Sequence, residues 1–145
     1  LNSGVSPERV LDLGCGAGVL AIAAAKALGR DILATDIDQD AVDVTLQNAS
    51  VNGVSQYIKS YKADGFDSPH LKEQKFDLIF ANILAGPLMG LAADIAAALA
   101  PGGTVILSGI LDEQAETVMA AFKEKGLKVS PQPSLSGWTS LLGQV

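Results

Sequence analysis

Three glycines at alternate positions, Gly14, Gly16 and Gly18, follow a carboxylate, Asp12. Without a Cβ at those positions a backbone can turn sharply and come into contact with a ligand. A helix starting near Gly18 would then aim free N–H groups at an anionic part of that ligand. The pyrophosphate of a dinucleotide satisfies this description, and so does the carboxylate of an amino acid. Residues 16–21 match G-x-G-x-x-A in a shifted frame, so the glycines leave both open. A tight turn with no ligand is the third reading. Asp36, 18 residues after Gly18 in the stretch ATDID, is spaced to accept bonds from both hydroxyls of a ribose. Each such charge-assisted bond contributes about 1.5–3 kcal/mol, and Ile37 adjoins it as a further candidate contact. Asp38 and Asp40 suit the capping of the next helix better. In KADGF, Asp64 is placed for the exocyclic amine of adenine, with Gly65 beside it, or else forms a turn. Asn82, in FDLIFANILAGPL, is an amide able to accept a bond from a substrate amine, or to cap the turn that follows.

Hydrophobic periodicity supplies the elements that must hold these groups. Strands are expected over 9–13, 32–35, 57–61, 76–81 and 104–108, and helices over 18–28, 40–51, 88–99 and 112–125. Gly29, Asn52-Gly53, Pro101-Gly102-Gly103 and Gly126 are the stop signals. Two last strands, 127–129 and 138–142, follow one another without a helix. The alternation predicts an α/β fold: a doubly wound, Rossmann-like, seven-stranded and mostly parallel sheet with a carboxy-terminal antiparallel hairpin at one edge. Ligands of such sheets sit at the carboxyl ends of the strands, near the switch in strand order. Gly14, Asp36, Asp64 and Asn82 all fall at such ends.

The totals bound the function. The chain of 145 residues is 48% apolar and 18% charged, as expected of one globular domain spanning 1–145. No apolar run reaches the roughly 20 residues of a membrane span, and residues 1–9 carry no basic, apolar leader. A cytoplasmic protein is expected. One cysteine and one histidine leave no internal disulfide and too few ligands for a metal. The net charge is −6, and seven acids face three bases between Glu8 and Asp43, which disfavours nucleic acid as a direct partner. Cys15 is expected to fill space, His70 to be exposed, Tyr57 and Tyr61 to be strand residues, and Trp138 to pack on an edge strand.

Asp12-Leu13-Gly14-Cys15-Gly16-Ala17-Gly18, with Asp36 and Asp64 at the next two strand ends, resembles the class I S-adenosylmethionine-dependent methyltransferases. The resemblance implies S-adenosylmethionine as cofactor, with Asp12 helping to set the loop and the methionine amine. It makes Asn82 the catalytic candidate, an amide that orients an amine lone pair toward a methyl group in line with the departing sulfur. Many amine and amide methyltransferases carry Asn-Pro-Pro-aromatic here, whereas this chain has Asn82-Ile83-Leu84-Ala85. NILAGPL, LSGILDEQ at 107–114 and SGWTSLLG at 136–143 together resemble the methyltransferases of the eleventh protein of the large ribosomal subunit. That resemblance runs from Arg9 to Gly143. It implies methylation of lysine side chains and an α-amine on a ribosomal protein, and a further amino-terminal domain for gripping it that residues 1–145 do not include. Three other readings stay in view: a methyltransferase acting on a small molecule or another protein, a non-catalytic cofactor-binding module, and a nicotinamide oxidoreductase. The last lacks a visible Tyr-Lys or histidine-based set for hydride transfer.

Overall fold

The computed structural model describes residues 7–145; residues 1–6, part of the stretch read above as leaderless, lie outside them. The chain alternates β1 (Val10–Leu13), α1 (Val19–Leu28), β2 (Ile32–Asp36), α2 (Gln39–Val51), β3 (Ile58–Lys62) and β4 (Phe76–Asn82). Two short helices, α3 (Ala85–Gly90) and α4 (Ala92–Ala98), lead into the long β5 (Leu99–Leu111). A 3-10 turn at Asp112–Gln114, α5 (Ala115–Lys123), β6 (Lys128–Pro131) and β7 (Trp138–Gln144) complete it. The sheet runs β3-β2-β1-β4-β5-β7-β6, parallel except for β7, which is antiparallel to both neighbours. The expected α/β class, the seven mostly parallel strands and the antiparallel end are all present.

Alternation along the strands sorts side chains into two cores. Leu11, Leu13, Ile79, Ala81, Val105 and Leu107 face α3, α4 and α5, where Leu88, Ile95 and Phe122 complete the packing. Val10, Ile32, Ala34, Ile58 and Leu78 face the other way, onto the alanine-rich side of α1 and onto α2. Each large side chain so buried contributes about 1.5–3 kcal/mol. Asp12 shares the second face, between Ala34 and Phe80 in the ladder, and is 1% exposed.

Caps fix the helix ends. Asp38 caps α2, its side chain accepting from the Asp40 N–H, as the sequence implied. Gly29 ends α1 with its N–H on the Ala25 carbonyl.

Tyr57 lies in the turn before β3, not in the strand, and three further expectations need correction. The single helix expected over 88–99 is two helices that start earlier and break at Leu91. The break turns the Leu91 side chain toward Gly65, so the irregularity builds a wall of the ligand cleft. The fifth strand is longer than 104–108 because Leu99 already pairs with Phe76, with an irregular loop inserted before the Leu78–Thr104 pair. Trp138 does not lie on an edge strand: β7 enters between β5 and β6, leaving β6 at the edge. Strand pairing between β5 and β7 across the 26 residues from 112 to 137 leaves no local signature, so periodicity alone could not order this end of the sheet.

Candidate functional site

The order of the sheet reverses between β1 and β4, and the loops that follow these strands part there. The result is a cleft of about 300 Å³ lined by Gly14, Asp36, Ile37, Asp64, Gly65 and Asn82, among others. Six of the residues singled out by spacing therefore meet in one place. Ile83 and Pro87, both within the NILAGPL stretch, and Leu91 supply apolar lining to which spacing had given no role. The two carboxylates stand without any basic side chain in the lining, so the cleft is better suited to a cation or zwitterion than to a pyrophosphate.

The glycine loop is held mainly by groups outside it. Gly14 and Cys15 both donate to the Thr35 carbonyl at 2.8 Å, which ties the loop to the end of β2. Gly16 N–H donates to Asp36 Oδ2 at 2.9 Å and Asp38 N–H to Asp36 Oδ1 at 3.0 Å, so the carboxylate is fixed with lone pairs to spare. From α2, Thr45 Oγ1 donates to the Gly16 carbonyl and Asn48 Nδ2 to the Ala17 carbonyl, each at 2.9 Å. Polar residues three apart share a helix face, and that spacing was the only trace of these two contacts in the sequence. Gly18 serves packing: a Cβ there would stand 2.8 Å from Thr45 Cγ2, and its φ is +85°.

Asp12, Gly16 and Gly18 do not line the cleft. Asp12 lies beneath the loop, against α1. Burial pushes its carboxyl up to about 6, with the nearby Asp36 charge adding to the effect and the Ala21 backbone N–H opposing it. Among the described residues its Oδ2 has no hydrogen-bond partner. Cys15 is buried beside it with Sγ 3.3 Å from Thr45 Oγ1. Burial raises the thiol above its usual range, so it stays protonated and fills space as expected. His70 is exposed and stacks on Tyr61 in β3, with ring centroids 3.5 Å apart.

Asp64 combines both roles considered for it. Its carbonyl accepts from the Asp67 N–H at 3.0 Å to close a turn, while the residue also lines the cleft. Asn82 does not cap the following helix, whose cap is Leu84. It instead borders a second groove, formed with Ser108, Gly109, Pro133, Leu135, Ser136, Trp138, Thr139 and Ser140. Among the described residues no acid or base lines this groove. Gly109 is what gives Asn82 its room: φ is +78° and an added Cβ would lie 2.6 Å from Asn82 Oδ1.

This arrangement can be set beside known proteins. The family model described as ribosomal protein L11 methyltransferase (PrmA) matches residues 3–145. The chain belongs to that family. A ribosomal protein L11 methyltransferase of Rhodopseudomonas palustris (strain BisB5) is 49% identical over 137 residues, 94% of this chain and 46% of the relative. The corresponding protein of Bradyrhizobium diazoefficiens is 50% identical, with the same coverage of each chain. This chain thus spans about half the length of the curated relatives it matches. Among solved structures, a ribosomal protein L11 methylase from Lactobacillus delbrueckii subsp. bulgaricus superposes with a TM-score of 0.88 at 34% identity, covering 97% of this chain and 71% of that one. An RNA methyltransferase from Salinibacter ruber, solved with S-adenosyl-L-homocysteine, shares the fold at a TM-score of 0.72 and 22% identity, covering 94% of this chain and 80% of that one.

Proposed function

We propose that this chain is the catalytic part of a cytoplasmic protein N-methyltransferase that moves a methyl group from S-adenosylmethionine to lysine side chains, an α-amine, or both, on ribosomal protein L11. The observation that carries the reading is the position of Asn82, which borders both the acidic cleft and the uncharged groove beside it. A donor in one and an acceptor in the other would meet at that amide. Family membership and the curated relatives named for L11 support the acceptor.

The residues present fit the cofactor. Asp36 keeps free lone pairs for ribose hydroxyls, Asp64 is available to an exocyclic amine, and Ile37, 62% exposed, offers an apolar surface to a planar base. Asp12 acts from beneath the loop, where its charge favours a cationic ligand once the carboxyl ionises. When bound, S-adenosylmethionine supplies a methyl group made electrophilic by its sulfonium. Asn82 accepts an N–H bond from the incoming amine and so directs the nitrogen lone pair into the cleft. With no base lining the groove, the acceptor loses its proton to water beforehand. For a lysine of ordinary pKa that step costs about 4.6 kcal/mol at pH 7, and for an α-amine about 1 kcal/mol.

The test incubates the chain with methyl-labelled S-adenosylmethionine and purified L11, beside Asn82→Ala and Asp36→Ala. Label on L11, lost in the first variant with binding of S-adenosylhomocysteine retained, and weakened in the second together with that binding, is the expected result. Binding of NAD in place of S-adenosylhomocysteine, or transfer indifferent to Asn82→Ala, overturns it.

A further inference from the structure

The connector between β6 and β7 supplies Pro133, Leu135 and Ser136 to the uncharged groove, before Trp138 and Thr139 open β7. Its tip is a two-residue hairpin turn. Leu135 and Trp138 exchange backbone hydrogen bonds at 2.9 and 3.0 Å across Ser136 and Gly137, whose φ angles are +52° and +85°. The turn carries two large apolar side chains into solvent, Leu135 at 78% and Trp138 at 48% exposure. β7 pairs with β5 as far as Trp138, but the connector before it lies outside both strands and needs support of its own.

The support comes from a residue that does not touch the groove. Asp112, the first residue after β5, accepts from Ser134 Oγ at 2.7 Å through Oδ2 and from Thr139 Oγ1 at 2.5 Å through Oδ1. Its backbone N–H donates to the Gly137 carbonyl at 3.0 Å. One residue therefore fastens the chain before the turn, within it and after it. Hydroxyl bonds to an ionised carboxylate are among the strong ones, and they hold this carboxyl below its usual range.

We infer that Asp112 is a positioning residue for methyl transfer, fixing the Leu135–Trp138 hairpin so that it forms one wall of the acceptor groove next to Asn82. The acceptor half of this inference rests on the proposed function; the fastening half does not. Removing the carboxylate would loosen the wall without disturbing Asp36, Asp64 or the glycine loop. Acceptor binding would suffer, and cofactor binding would not.

Trp138 is the single tryptophan of the chain, so its fluorescence reports the hairpin alone. Asp112→Ala and Asp112→Asn are compared with the unaltered chain for acrylamide quenching of Trp138, amide exchange at Leu135 and Trp138, affinity for S-adenosylhomocysteine, and KM and kcat with L11. In Asp112→Ala, quenching and exchange should rise, exchange by about tenfold or more. The KM for L11 should rise about tenfold with kcat little changed, and S-adenosylhomocysteine affinity should hold. Asp112→Asn, which keeps one acceptor oxygen, should fall between. Unchanged quenching and exchange in Asp112→Ala overturn the fastening. Loosening without a change in KM overturns the role in acceptor binding. An unaltered chain that labels no amine overturns the proposed function and the acceptor half together, while the fluorescence still decides the fastening.

Discussion

Asp12→Asn should change how stability depends on pH. In the folded chain the Asp12 carboxyl is pushed from 3.8 to about 6, chiefly by burial, and its Oδ2 has no partner among the described residues. The folded state therefore holds the proton to higher pH than the unfolded state does. Below pH 3.8 both states are protonated and Asp12 costs nothing through ionisation. As pH rises through that window, stability is lost, and above about 6 the loss is complete. At 1.36 kcal/mol per unit, the shift corresponds to about 3 kcal/mol at pH 7. Asparagine has the same shape and does not ionise in this range. Its own contribution, including any unmet N–H, is constant with pH. The quantity to measure is thus the difference in unfolding free energy between variant and parent, from urea titrations at half-unit steps between pH 3.5 and pH 7.5. That difference should move in favour of the variant by about 3 kcal/mol across the range. Parallel profiles would refute the assignment of a strained, ionisable carboxyl beneath the glycine loop.

Gly109→Ala should cut the rate of methyl transfer by about 100-fold, since displacing an orienting group by about an ångström has that effect, while S-adenosylhomocysteine affinity in calorimetry stays close to the parent's. In an Asn82→Ala background the same substitution should cost little further activity, because the clash is with Asn82 Oδ1. Gly18→Ala places a methyl 2.8 Å from Thr45 Cγ2 at a φ of +85°; the left-handed conformation alone costs about 1–2 kcal/mol, to be read as a lowered Tm. Phe122→Ala, at a fully buried position in α5, should cost about 3–5 kcal/mol, seen as a lower denaturation midpoint at unchanged slope.

Much of the candidate site was legible because its parts are local. Gly14 follows β1, Asp36 ends β2 and Asn82 ends β4, and each can be placed once strands are recognised from runs such as VLDL and FDLIFAN. Periodicity and turn residues act over a few positions of chain, and those ranges fix the elements, their faces and their stops. The same locality explains what escaped. The bond from Thr45 to Gly16 spans 29 residues and the approach of Gly109 to Asn82 spans 27, so neither has a spacing that a motif could record. The helix expected over 88–99 broke at Leu91, whose side chain reaches Gly65, a contact the alanine-rich sequence did not announce.

By itself, then, the sequence determined an alternating α/β chain with its polar candidates at strand ends, since side-chain pattern dictates which face of an element is buried. Only the tertiary structure decided that β7 enters between β5 and β6, that Asp12 lies under the loop instead of in the cleft, and that two grooves share Asn82. Those outcomes depend on which distant surfaces exclude water from one another, and burial of that kind is a property of the assembled sheet, absent from any window of the chain.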